Sequence, residues 1–157
     1  MNKTKIISIN NRMKKDAKIN KTEALAGVCD YNNVLYATNG YFAVKVNGNF
    51  THIKELTFID STIYPINVIL KAFKDFEDRP KNKIKIFSYQ DMISNNKYIK
   101  LKDFYFNAEY INFALKLCGL NSIIKLGFFE SNEKLLISNQ EISVLILPMK
   151  KDFKYQE

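Results

Sequence analysis

The stretch Val144-Leu145-Ile146-Leu147-Pro148-Met149-Lys150 closes the folded part of this chain with an apolar strand, then Pro-Met, then a base. About 100 residues earlier stands a second unusual string, Tyr36-Ala37-Thr38-Asn39-Gly40-Tyr41-Phe42-Ala43-Val44. It reads as strand, turn, strand, because Thr-Asn-Gly supplies the residues that tolerate a tight reversal. Proline cannot donate to a sheet ladder, so Pro148 ends the last strand and fixes the direction in which Met149 leaves it.

Working outward, the hairpin continues upstream. Gly27–Tyr31 and Val34–Ala37 flank Asn32-Asn33, which accepts the positive φ of a two-residue turn. Downstream, Ile66, Ile69, Leu70 and Phe73 recur at helical spacing after Pro65, with Ser61 and Thr62 as candidate caps. Lys71 and Lys74 fall on the opposite, exposed side of that helix. Arg79-Pro80 breaks it, and Lys83–Tyr89 alternates as a strand. Tyr98–Leu101 reads as another strand. Asn107 caps a second helix with Ile111, Ala114, Leu115 and Cys118 inward, Lys116 outward and Gly119 as the stop. Ile123–Phe129, Lys134–Ser138 and Ile142–Leu147 are the closing strands, with turns at Ser131-Asn132-Glu133 and Asn139-Gln140. Thr62–Tyr89 and Phe106–Ile137 form a weak internal repeat of helix and strand. These elements predict an α+β fold: antiparallel sheets with two amphipathic helices, Pro65–Phe76 and Ala108–Cys118, on one side.

At 157 residues, with 46% hydrophobic and 25% charged side chains, the chain has the composition of one globular domain. No apolar run approaches the ~20 residues of a membrane span, and no secretory leader is visible, so a cytoplasmic protein is expected. Cys29 and Cys118 lack metal or redox spacing and read as buried free thiols. His52 is the single histidine. No phosphate loop, metal-binding helix motif, nucleophile elbow or convergent carboxylate set is present, so no enzyme, no metal and no cofactor are expected.

The net charge of +8 is unevenly spread. Lys3, Lys5, Arg12, Lys14, Lys15, Lys18 and Lys21 face only Asp16 in residues 1–21, which read as a basic N-terminal arm: a weak strand over Lys3–Ile9, then a short helix or exposed segment. Lysine supplies all but two of the 24 basic residues. That favours sequence-independent phosphate attraction over base recognition. Lys14, Lys15 and Lys18 of that arm are candidate DNA contacts. Residues 22–150 form the folded domain and 151–157 a tail.

In their order, four pieces resemble the bacterial DNA sliding clamp family, the beta subunit of DNA polymerase III. Leu35–Val44 resembles the strand that reads roughly ATDGHRLA. Ile63–Phe73 resembles the helix opened by a proline. Phe106-Asn107-Ala108-Glu109-Tyr110 resembles the FNxxY start of the last helix, and Val144–Lys150 the MPMR ending. The likeness covers residues 22–76 and 101–150. A clamp protomer has three such domains; this chain has room for one and a fraction, without the early dimer-forming part. Asn39 stands for the usual Asp, Tyr41 for His, Phe42 for Arg, Leu147 for Met and Lys150 for Arg.

The resemblance implies a shortened, clamp-like α+β fold whose helices offer Lys71, Lys74 and Lys116 to DNA as further candidate contacts. It also implies an apolar pocket that receives short linear peptides of replication or host proteins. Its lining would be Thr38, Gly40, Tyr41, Phe42, Pro65, Leu70, Leu145, Leu147, Pro148 and Met149. A replication accessory protein, from a phage or mobile element and assembling as a homo-oligomer, is the leading expectation. A non-encircling mimic or inhibitor that docks on a host protein, and an unrelated basic nucleic-acid-binding module, are the alternatives.

Overall fold

The computed structural model describes residues 2–128 and 133–149. It opens with an 18-residue helix, α1 (Lys3–Asn20), where the sequence suggests a strand over Lys3–Ile9 and then a short helix or an exposed arm. Ile6, Ile9, Asn10, Met13, Asp16 and Ala17 are the buried positions, and they recur every three or four residues. Two members of that stripe are polar, which hides the period from a hydrophobicity pattern. Both are satisfied. Asn10 Oδ1 accepts from the Thr57 N–H at 2.9 Å, and Asp16 accepts from Arg12 Nε at 2.9 Å and Asn39 Nδ2 at 2.9 Å. Asn2 caps the start through the Thr4 N–H, and Lys21 ends the helix in the left-handed region.

The chain then builds β1 (Cys29–Tyr31), β2 (Val34–Thr38) and β3 (Phe42–Asn47) as an antiparallel meander. Asn32 and Asn33 both take positive φ in the expected tight turn. Helix α2 (Ile66–Glu77) comes next, then β4 (Ile84–Phe87) and the two-stranded sheet β5 (Tyr98–Leu101) and β6 (Phe104–Asn107). Helix α3 (Ala108–Cys118) leads into β7 (Ile123–Gly127), β8 (Lys134–Ser138) and β9 (Ile142–Ile146). The large sheet is antiparallel throughout, in the order β1-β2-β3-β9-β8-β7-β4. The expected α+β class with antiparallel sheets holds. The expected turn at Ser131-Asn132, Phe129, Lys150 and the 151–157 tail lie outside the described residues.

Strand alternation sorts the helices. Phe42, Val44, Val46, Ile142, Val144 and Ile146 pack with Ile6, Ile9, Met13, Ile111, Ala114 and Leu115, so α1 and α3 cover one face. Tyr36, Ala43 and Leu145 point the other way and pack with Ile66, Ile69, Phe73 and Phe76 of α2. The two helices read from the sequence therefore lie on opposite faces, not on one side. Helical spacing reveals which stripe a helix buries; it does not reveal which face of the sheet receives it. The α1 helix, read as an arm, is the true neighbour of α3. Arg12 Nη2 pairs with Glu109 at 3.0 Å and Lys5 Nζ donates to the Leu117 carbonyl at 2.9 Å.

The internal repeat also differs from the one expected. It relates α1-β1-β2-β3 to α3-β7-β8-β9, with β2 and β8, and β3 and β9, offset by 100 residues. The two halves meet in the β3–β9 pair, whose central register is Val44 opposite Val144. The turn before each of these strands is built alike. Asn39 Oδ1 accepts the N–H groups of Tyr41 and Phe42; Asn139 Oδ1 accepts those of Glu141 and Ile142. Each amide then donates to its own half's helix, Asn39 to Asp16 and Asn139 to the Cys118 carbonyl.

This geometry explains Asn39 where the clamp-like motif has Asp. A carboxylate here would lose its donor and face the Asp16 carboxylate directly. Asn39→Asp is therefore expected to destabilise by about 2 kcal/mol or more at neutral pH. One of the two facing carboxyls would hold a proton more tightly folded than unfolded, so the variant regains stability as pH falls toward the ordinary carboxylate range. Urea unfolding of both proteins at pH 7 and near pH 5 checks this: the gap between them should narrow at the lower pH.

Candidate functional site

The β3–β9 seam that joins the halves also forms the floor of a groove of ≈ 190 Å³. Thr38, Gly40, Tyr41, Phe42 and Ala43 line one side, Leu145 and Leu147 the next, and Val68, Ile69 and Ala72 of α2 the third. Lys134, at the start of β8, completes it. The hollow has a steric cause. Ala43 lies opposite Leu145 in the ladder, and Ala72 faces the same space from α2. Two methyl side chains where the rest of this interface places Phe73, Phe76 and Tyr36 leave volume unfilled.

The two strings, a hundred residues apart, thus meet. The Leu147 N–H donates to the Tyr41 carbonyl at 3.0 Å, extending the ladder one bond past β9. Gly40 takes φ +94°, and a Cβ there would meet nothing within 4 Å, so the constraint is backbone conformation and the surface above it is open. Thr38 holds the turn from within: its hydroxyl donates to the Phe42 carbonyl at 2.7 Å and accepts from the Gly40 N–H at 3.0 Å. Tyr41 stands half-exposed at the rim, its ring stacked 6.4 Å from Tyr110.

Of the ten residues expected to line a pocket, six do so: Thr38, Gly40, Tyr41, Phe42, Leu145 and Leu147. Phe42 borders the groove, but its ring belongs to the opposite face, against Tyr110 and Phe113. Four are elsewhere. Pro65 lies just before α2, and Leu70 is partly buried against the core beneath that helix. Pro148 and Met149 lead away from the groove, where the Met149 N–H donates to the Tyr105 carbonyl of β6 at 2.7 Å. The third wall is therefore Val68, Ile69 and Ala72 instead of Pro65 and Leu70. Exposure marks Val68, an apolar residue of α2 that leaves 70% of its surface in solvent. Sequence periodicity carries no such signal.

The six expected DNA-contact lysines are all exposed but do not share a surface. Lys14, Lys15, Lys18 and Lys116 lie on α1 and α3; Lys71 and Lys74 lie on α2, across the sheet.

No group of three metal-ligating side chains occurs among the described residues. Both thiols are free and buried. Burial pushes the Cys118 thiol up to about 12 and raises that of Cys29, the opposite of what activates a nucleophile. A second, open hollow of ≈ 330 Å³ is lined by Asp30, Thr51, Phe58, Ile59, Asp60 and Ser61. No helix among the described residues is long and apolar enough to cross a membrane. No family model, no curated protein and no solved structure matches this chain.

The groove's geometry depends on one buried phenol. Tyr64 Oη accepts the Thr38 N–H at 2.7 Å, tying the segment before α2 to the end of β2. Tyr64→Phe leaves that N–H unpaired and should cost about 1–2 kcal/mol. Desolvation raises the Tyr64 phenol above its ordinary value. The folded state thus binds this proton more tightly, so its contribution is complete below about pH 10 and is lost as pH rises beyond it. Denaturation followed from pH 8 to 11 should show a shallower alkaline decline in Tyr64→Phe than in the wild type.

Proposed function

We propose that this chain is a sliding-clamp-like accessory protein of DNA replication. It binds duplex DNA without sequence preference through the lysines of α1 and α3, and captures short apolar peptides of partner proteins in the groove on the other face. The observation that carries the proposal is the meeting of Thr38–Phe42 with Leu145–Leu147. An α+β fold in general gives no reason for strings a hundred residues apart to build one concavity; the clamp resemblance requires it. The paired α1–α3 layer supports the DNA half of the proposal. Lys14, Lys15, Lys18 and Lys116 are exposed positions of these two helices, and mobile phosphate contacts need only charge.

The groove suits a peptide anchor. Leu147 is 42% exposed and Val68 more so, and closing a Leu or Phe side chain between them buries apolar surface on both partners. One such anchor contributes on the order of 1.5–3 kcal/mol. Calorimetric titration with a peptide carrying Leu and Phe should give measurable affinity that Leu147→Ala lowers by about 1–2 kcal/mol. Met149→Ala, outside the groove, should change it little. Val68→Asp should abolish binding, since it places an unpaired charge against the apolar ligand.

The DNA surface has a separate test. Replacing Lys14, Lys15 and Lys18 together by Glu should weaken duplex binding on the order of tenfold or more at low salt, alike for all sequences, and flatten the salt dependence. Replacing Lys71 and Lys74 should leave it nearly unchanged. Equal effects from both sets would contradict the assignment of the DNA face. Light scattering with and without duplex then separates a ring-forming clamp, which assembles, from a non-encircling protein, which stays a monomer or dimer.

A further inference from the structure

Lys134 is the least expected residue in the groove. It leaves only 7% of its surface exposed, yet lines an otherwise apolar concavity. Its amine forms no hydrogen bond or ion pair among the described residues. The charged groups that act on it are Asp75 and Lys71 of α2 and Arg79 just beyond that helix, and no carboxylate among the described residues forms an ion pair with its amine. The buried part is the stem: its amine is not among the buried polar atoms left without a partner, so the charged end reaches solvent through the groove. Burial still pulls its amine below the ordinary lysine range, with Asp75 opposing that shift and Arg79 and Lys71 reinforcing it. The strand explains why it cannot leave. Lys134 alternates with Leu135, which is fully buried on the other face, so its stem is held on the α2 side beside Leu136.

We propose that Lys134 is an anion subsite within the groove, which receives the C-terminal carboxylate of a partner peptide while that peptide's last apolar side chain fills the space between Val68, Ala72, Leu145 and Leu147. This inference rests on the proposed peptide-binding function and names the chemistry of its ligand. The small volume favours a chain terminus as the source. At ≈ 190 Å³ the groove is smaller than sites that enclose a drug-sized ligand. A single terminal Leu or Phe brings an apolar side chain and a carboxylate on the same residue. Charge-assisted pairing then satisfies the Lys134 ammonium, which no described residue pairs.

The test uses two peptides that share an apolar sequence ending in Leu-Phe, one with a free carboxylate and one amidated, and a third with an amidated end and an Asp beside the anchors. Each is titrated into wild type, Lys134→Met and Leu147→Ala by calorimetry. In the wild type the free acid should bind roughly tenfold or more tightly than the amide. In Lys134→Met, which keeps the stem's length and packing, acid and amide should bind alike, at about the affinity of the wild type for the amide. Thermal melts confirm that Lys134→Met is folded.

If acid and amide bind wild type equally while Leu147→Ala weakens both, the groove stands and the Lys134 assignment falls. An acid preference that persists in Lys134→Met overturns it as well. If the Asp peptide alone gains from Lys134, the terminal source is wrong. Self-association of the wild type that Lys134→Met removes would make a second copy the occupant, against the proposal. If none of the peptides binds at all, the groove's function fails with it.

Discussion

The antiparallel pairing of β3 with β9 is the constraint on which the rest of the molecule depends. It is the only ladder that joins the first half of the described sheet to the second, and it is long in sequence, with Val44 opposite Val144. Closing so large a loop is entropically costly, though the cost rises only slowly with length. Burial on both faces at once offsets it. Phe42, Val44, Val46, Ile142, Val144 and Ile146 are sealed under α1 and α3, while Ala43 and Leu145 are sealed under α2. Register is therefore fixed strongly, because a slip of one residue would exchange the two faces. The groove is a by-product of the same pairing, since small Ala43 sits beside Leu145 where a larger residue would fill the gap.

A polar lock complements the apolar seam. Arg12 lies over the rings of Phe42, Tyr110 and Phe113 at 5.1–5.9 Å, pairs with Asp16, and reaches Glu109. Asp16 in turn accepts from Asn39, which holds the turn that starts β3. The ion pair is largely shielded from water, so its worth as net stability is small, but breaking one side would strand a charge. Its effect is positional: it ties the register of α1 to the turn whose backbone forms the groove's rim.

Much of this is legible in the chain. The Asn32-Asn33 turn, both late helices, β5 and β8 emerge from turn chemistry, capping and periodicity almost to the residue. The meeting of Thr38–Phe42 with Leu145–Leu147 emerges from the resemblance alone, since no local pattern links positions a hundred residues apart. The failures have specific causes. Asn10 and Asp16 interrupt the buried stripe of α1, and their partners, Thr57 and Asn39, lie far along the chain. The side of the sheet chosen by α2 is a tertiary outcome that its own pattern cannot encode. Motif alone assigns Pro65, Leu70, Pro148 and Met149 to the pocket, whereas exposure and the small size of Ala43 and Ala72 decide its lining. Nothing in the sequence singles out Lys134, because strand alternation does not reveal that α2 covers that face.

The architecture sets the α1–α3 layer on one face of the sheet and an apolar groove on the other, and the proposed function assigns duplex DNA to the first and peptides to the second. The most direct test of that division is an amide chemical-shift map of the labelled protein, recorded with an apolar peptide and then with duplex DNA. Two disjoint sets are expected. The peptide should shift Gly40, Tyr41, Val68, Ala72, Leu145 and Leu147, and the duplex should shift the exposed positions of α1 and α3 around Lys14, Lys15, Lys18 and Lys116. Peptide-induced shifts centred on α1 and α3, or duplex-induced shifts centred on α2, would contradict that division.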